Sequence, residues 1–289
     1  MSFYEELRPR AFAIAYRMLG SVTEAEDVVQ ESFLRLHQAG DTVESPPAFL
    51  TTVVTRLAID ELRSARARRE SYVGEWLPEP VVTEPGPADL AETADTLSLA
   101  FLVLLENLSP TQRAAFLLRE VFEYPYEEVA AFVDADVDNA RHLVARARQR
   151  VRAGRPRFYA TAAQRDELGS RFFAAMENGD LTALESLLAE DVALHADGGG
   201  KVSSPARAAF GRERVLKTLA AGFTLSAGLV TTLRPVSVNG QPGALVHDAD
   251  GLLIAVLAVD IVDGHVAAIR SMVNPDKLGH LGEVGDLRL

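Results

Sequence analysis

LSPTQRAAFLLREVFEYPYEEVAAFVDADVDNARHLVARARQRVR, Leu108 to Arg152, is the stretch whose reading decides the fold. It reads as three short helices, and the last two have the spacing of a helix-turn-helix. Ser109 is an N-cap, Pro110 suits the first helical position and Gln112 closes a capping box. After a break at Tyr124-Pro125, a second helix covers Tyr126 to Val133, with small Ala130 where two helices would cross. Asp134-Ala135-Asp136 is the turn: Asp134 tolerates a left-handed backbone and Asp136 caps the third helix. That helix sets Ala140, Val144, Ala147 and Val151 on one face, the spacing of a packed stripe. Asn139, Arg141, His142, Arg146, Gln149 and Arg150 face outward, a row of donors and cations suited to the DNA major groove. A solvated basic helix on an all-α domain is the plainer alternative.

Working outward, 289 residues at 48% apolar content suffice for two or three domains with real cores. The formal net charge of -12 is the wrong sign for a protein that coats nucleic acid indiscriminately. Arginine nevertheless clusters at Arg56–Arg69 and Arg141–Arg157, and no lysine precedes Lys201. Two local cationic tracts on an acidic body fit specific DNA contact. Cysteine is absent, which removes disulfides, cysteine zinc sites and thiol nucleophiles, and neither a metal nor a cofactor is expected. The start MSFYEELRPR lacks the pattern of a signal peptide, and the apolar run Leu252–Val259 is too short to span a bilayer. A soluble, cytoplasmic protein with no membrane partner is expected.

Before the opening stretch, Phe3–Leu19 reads as an amphipathic helix that Pro9 bends or interrupts. Ser21–Gln38 is a second helix with Val28, Val29, Phe33, Leu34 and Leu36 on its apolar side. Asp27, Gln30, Glu31 and Arg35 lie on its polar side. Ala48–Arg69 is a long helix with Phe49, Val53, Leu57 and Leu62 apolar and with Arg56, Asp60, Arg63, Arg66 and Arg69 at three- and four-residue intervals. Such a stripe binds phosphate or simply ends a helix in solvent. Ser71–Ala88, with Pro78, Pro80, Pro85 and Pro87, is an extended linker that carries the chain's one tryptophan, Trp76. An apolar Trp76-Leu77 pair calls for a docking surface. Helix returns over Asp89–Asn107. After Arg157 the pattern changes: helices at Ala162–Asn178 and Leu181–Ala189, then strands at Thr231–Val238, Ala244–Asp248, Leu252–Val262 and His265–Val273. Asn239-Gly240, Asp250-Gly251 and Asp263-Gly264 mark the turns. Helices followed by antiparallel strands indicate an α+β domain.

EAEDVVQESFLRL, FLTTVVTRLAIDELRSARARRE and LSPTQRAAFLLREVF, in that order and joined to the helix-turn-helix, resemble the extracytoplasmic-function sigma factors of bacterial RNA polymerase. The resemblance covers roughly residues 1 to 157. It implies a multidomain chain: sigma domain 2 at 1–70, the linker at 71–88, sigma domain 4 at 89–157 and a further domain at 158–289. It also implies core RNA polymerase as partner. Asp27, Gln30, Glu31 and Arg35 would meet the clamp helices of the large subunit, and domain 4 would meet its flap. Promoter DNA would be read at the minus-ten element by Arg56, Asp60, Arg63 and Arg66, with the loop Gly40–Ser45 near an extruded base. Asn139, Arg141, His142 and Arg146 would read the minus-thirty-five element. Two departures stand out: Asp134 where the turn often has glycine, and Asp136 where the cap is usually serine.

The last domain, opening with RFFAAMENGDLTALESLLAEDVAL, resembles a SnoaL-like cone of curved sheet wrapped by helices. Three pentapeptides mark a sigma subgroup with this extension, and all are intact. They are Trp76-Leu77-Pro78-Glu79-Pro80, Asp197-Gly198-Gly199-Gly200-Lys201 and Asn274-Pro275-Asp276-Lys277-Leu278. The resemblance implies control in cis; the residues suggest how, with the glycine loop holding the linker and Lys201 near Glu79. The competing reading is a SnoaL-type enzyme or sensor of a small, unidentified ligand in the cone. Its acid–base candidates are His195, Asp197, Asp260 and Arg270, and fold likeness alone does not carry catalysis.

Overall fold

The computed structural model describes residues 3–83, 95–154, 161–202, 204–205, 207–226 and 232–285. The chain forms two compact units, Met1–Ser71 with Phe101–Arg155, and Tyr72–Ala100 with Pro156–Leu289. The linker therefore belongs with the C-terminal part of the chain rather than with the helices that precede it.

The first unit is helical. α1 (Phe3–Leu19) runs unbroken through Pro9, so the expected interruption does not occur. Proline there removes one N–H, and burial of Ala11, Ile14, Ala15, Met18 and Leu19 holds the helix straight through. Ser21 accepts the Glu24 N–H at 3.2 Å and starts α2 (Val22–Ala39). α3 (Pro46–Glu70) begins two residues earlier than its apolar pattern suggests, because Pro46 and Pro47 fit a first turn whose N–H groups have no partner anyway. Its buried stripe is Leu50, Val54, Ala58 and Leu62, so Phe49, Val53 and Leu57 lie beside the core and not in it.

Residues 89–94 of the expected Asp89–Asn107 helix lie outside the described residues; 95–97 are helical and α4 covers Leu99–Leu105. α5 (Pro110–Glu120) carries the Ser109–Gln112 capping box in full. α6 (Tyr126–Phe132) and α7 (Val137–Gly154) form the helix-turn-helix. Asp134 has φ 56°, and Asp136 Oδ1 accepts the Asn139 N–H at 2.7 Å. Ala140, Val144, Ala147 and Val151 are all buried.

The second unit is a seven-stranded sheet in the order β1-β4-β5-β6-β7-β2-β3. The strands are β1 (Val82–Thr83), β2 (Leu188–Asp197), β3 (Ala209–Phe210), β4 (Thr232–Val238), β5 (Gln241–His247), β6 (Leu253–Val262) and β7 (His265–Met272). The sheet is mixed, not purely antiparallel, since β2 runs parallel to β7. Asn239-Gly240 and Asp263-Gly264 each place two successive residues at positive φ, the signature of type I′ hairpins. One face is covered by α8 (Ala162–Glu177), α9 (Leu181–Leu187) and α10 (Arg212–Ser226). Phe172, Phe173, Leu184, Leu194, Val215, Val259 and Ile269 fill the space between sheet and helices.

Candidate functional site

The site grows from the end of β2. Asp197 is fully buried at 0% exposure, and its carboxylate accepts hydrogen bonds on both oxygens. Oδ2 takes the Leu77 N–H at 2.8 Å and the Lys277 ammonium at 2.8 Å. Oδ1 takes the Tyr72 hydroxyl at 2.5 Å and the Gly199 N–H at 3.1 Å. A charge this deep is tolerable only because a cation and three neutral donors surround it. Lys277 also donates to the Leu77 carbonyl at 2.5 Å and lies 4.4 Å from the Trp76 ring centroid and 5.0 Å from that of Tyr72. The linker thus supplies an aromatic cage and a carbonyl for the ammonium. Burial, and then donation to Asp197, pushes the Tyr72 phenol well above its ordinary value.

Backbone geometry explains the glycines. Gly199 has φ 58°, and a Cβ there would lie 2.3 Å from Asn274 Nδ2. Gly200 has φ 72°, and a Cβ there would meet the Val73 Cβ at 2.9 Å. Gly198 is buried, with the Val202 carbonyl in the space of a side chain. Asn274, in turn, donates to the Tyr72 hydroxyl at 2.8 Å. Its Oδ1 accepts the Asp276 N–H, capping the tight turn Pro275–Lys277. The Asn274 N–H and Val273 N–H both donate to the Asp197 carbonyl. All three pentapeptides therefore converge on one buried cluster, with Leu77, Pro78, Glu79, Pro80 and Leu278 buried around it.

One expectation fails. Lys201 pairs with Asp276 at 2.7 Å rather than approaching Glu79, and the buried lysine of the site is Lys277. A flexible exposed ammonium gains little from the interior, whereas Lys277 is fixed by the turn it ends.

The grip extends past the pentapeptides. Glu75 Oε1 lies 2.6 Å from His195 Nδ1, and the Pro80 carbonyl 2.7 Å from His280 Nε2. Asn239 exchanges two bonds with Val81 and donates to the Leu97 carbonyl. β1 then adds antiparallel to the β4 edge. Arg165 on α8 pairs with Asp95 at 2.8 Å. Tyr72, Glu75, Asn239 and His280 carry no signal of this role in the sequence; Asn239 is legible there only as a turn residue.

The acid–base candidates are all engaged. Asp197 is committed to the linker, His195 to Glu75, and Asp260 to Arg270 in a direct ion pair. Strand register puts His195 beside Arg270.

In the helical unit, Asp27, Gln30 and Arg35 are exposed on α2, and Arg35 pairs with Glu31 at 2.8 Å. Leu34, read as part of the buried side, is 50% exposed and lines a groove of about 650 Å³ with Tyr4, Gln30 and Phe33. On α3, Asp60 and Arg63 are exposed and paired to each other at 2.9 Å, while the Arg66 side chain lies outside the described residues. Arg56 donates to the Ala131 carbonyl at 3.2 Å and the Phe132 carbonyl at 3.5 Å. Asn139, Arg141, His142 and Arg146 all face solvent on α7, with Arg141 paired to Asp138 at 3.0 Å.

A capped helix-turn-helix with an exposed basic second helix, joined to a second helical bundle and a mixed α+β domain, defines a sequence-specific DNA-binding protein with an appended domain. Family models agree: residues 3–68 match Sigma-70 region 2, 98–151 match Sigma-70, region 4, and 170–275 match the SnoaL-like domain. The chain is 38% identical to the ECF RNA polymerase sigma factor SigJ of Mycobacterium tuberculosis, over 96% of this chain and 92% of that one. It is 33% identical to the probable ECF RNA polymerase sigma factor SigI of the same organism, over 93% and 91%. The crystal structure of M. tuberculosis SigJ superposes with a TM-score of 0.77 at 36% identity, covering 95% of this chain and 96% of that one. The chain belongs to the extracytoplasmic-function sigma factors. It directs RNA polymerase to promoters, and no helix among the described residues is long and apolar enough to cross a membrane.

Proposed function

We propose that the SnoaL-like domain controls this sigma factor by holding the linker Tyr72–Thr83 as part of its own fold. One observation carries the reading: the buried Asp197 carboxylate takes the Leu77 N–H, the Tyr72 hydroxyl and the Lys277 ammonium together. Domains 2 and 4 must reach two promoter elements at a set separation, so the chain between them sets whether both bind at once. A linker incorporated into a sheet has lost that freedom.

In this reading Arg56, Asp60, Arg63 and Arg66 serve the minus-ten element, and Asn139, Arg141, His142 and Arg146 the minus-thirty-five element. Asp27, Gln30, Glu31 and Arg35 meet the polymerase clamp helices, and domain 4 meets the flap. The protein works in the cytoplasm and is not an enzyme. The engagement of His195, Asp197, Asp260 and Arg270 with protein partners supports a regulatory rather than a catalytic extension. The test is promoter-dependent transcription with purified core polymerase, comparing Trp76→Ala and Asp197→Ala with the parent. Altered initiation in both is the expected result; wild-type behaviour of both would remove the linker from regulation.

A further inference from the structure

Between α5 and α6 the chain turns at Phe122–Pro125 with Glu123 at φ 59°, a left-handed position that glycine alone adopts freely. The turn sets two rings against α1 and α3. The Arg10 guanidinium lies over Tyr124 at 4.8 Å and Phe122 at 5.9 Å, and Arg17 lies over Phe122 at 5.7 Å. Arg10 Nε donates to the Tyr124 hydroxyl at 3.0 Å. That hydroxyl lies 3.0 Å from Thr51 Oγ1, whose own proton goes to the Pro47 carbonyl, so Tyr124 donates to Thr51. Phe132 closes edge-on against Tyr124 at 5.0 Å.

Arg56 completes the contact by gripping the carbonyls of Ala131 and Phe132, at the end of α6 where carbonyls lack helical partners. Asp134 in the recognition turn stands 3.9 Å from the same guanidinium. Further along, buried Arg113 of α5 donates to the Met18 carbonyl at 2.5 Å at the end of α1.

We infer that domain 4 itself restrains the minus-ten helix, through Arg56 and the Tyr124 hub. This restraint is separate from the linker, since every group in it lies within Met1–Ser71 and Phe101–Arg155. With Nε and Nη2 on α6 carbonyls, one edge of the Arg56 guanidinium is turned to domain 4, and a DNA strand that is to take that edge has to displace those carbonyls. Promoter engagement therefore requires Arg56 to exchange partners, and Tyr124, which reads no DNA in the assignment above, sets how readily it does so.

The chain has no cysteine, so Gln38→Cys with Asn107→Cys, both exposed positions, accepts a dye pair without background. Single-molecule energy transfer on the full chain is compared for the parent, Tyr124→Phe and Arg10→Ala, alongside transcription with core polymerase. Tyr124→Phe keeps the ring and its packing, which guards against loss of fold. The expected result is an open-to-closed ratio raised about tenfold, the scale of one or two lost hydrogen bonds, with faster promoter-complex formation. Unchanged distances in both variants overturn the inference. Longer distances without faster initiation also overturn it, because the contact would then be packing and not restraint.

Discussion

Asp197 shows how much one side chain can hold. Asp197→Asn keeps the shape and an acceptor oxygen but strips the charge, leaving the Lys277 ammonium buried without its counterion. Breaking one side of a buried pair costs about 3–5 kcal/mol, so chemical denaturation should report a loss of that order. Adding Lys277→Met should recover part of it, and a double variant no better than the single would show that the two groups do not act as a pair. Tyr72 gives a pH signature. Its raised pKa means the phenol's contribution is complete below the ordinary tyrosine value of about 10 and is lost as pH climbs through the higher folded value. Ultraviolet titration should show a late-ionising step that Tyr72→Phe deletes. The motifs made Asp197 and Lys277 legible, but not Tyr72. Lys201 and Lys277 both lie in pentapeptides that carry an aspartate, and only the fold separates the exposed one from the buried one.

At the scale of elements, periodicity was a good guide where a single face is buried. The α7 stripe, the Ser109 box, the Asp136 cap and the hairpins β4–β5 and β6–β7 all stand where the pattern puts them. It failed for β2, whose Glu190-Asp191 pair and register shift between Leu188 and Ala193 mask the alternation. It also missed β1, because two residues carry no period; their strand character comes from Asn239 and the β4 edge. Val81→Pro tests that edge. It removes the N–H that Asn239 Oδ1 accepts, so hydrogen exchange at Val82 and Thr83 should accelerate about fivefold or more, the scale of one lost bond. Gly199→Ala should displace Asn274 and alter initiation in the same direction as Trp76→Ala. Retained wild-type exchange and initiation would show that the strand is not held there.

For the whole molecule, composition already sets two regions apart: an acidic body of net charge -12 with arginine concentrated on α3 and α7. Arg141→Ala should weaken protection of the upstream promoter element, and Arg63→Ala should impair opening downstream; footprints of the holoenzyme would detect both. Domain order was legible because each block has its own period and caps. Docking of the linker was legible from the apolar Trp76-Leu77 pair; that the C-terminal unit also takes the chain up to Ala100 was not, since Asp89–Asn107 reads as helix leading into domain 4.

The position of β1 at the end of the sheet has a temporal consequence. Whenever the linker leaves, the Ser237–Val238 end of β4 loses its strand partner, and Val238, fully buried with β1 in place, loses its cover. Uncovered edges recruit strands from other molecules. Under the control proposed above, a freed sigma factor finds polymerase, takes its own linker back, or pairs that strand end with another molecule. In that reading the strand end limits the lifetime of the freed state, and more so as the protein becomes more abundant.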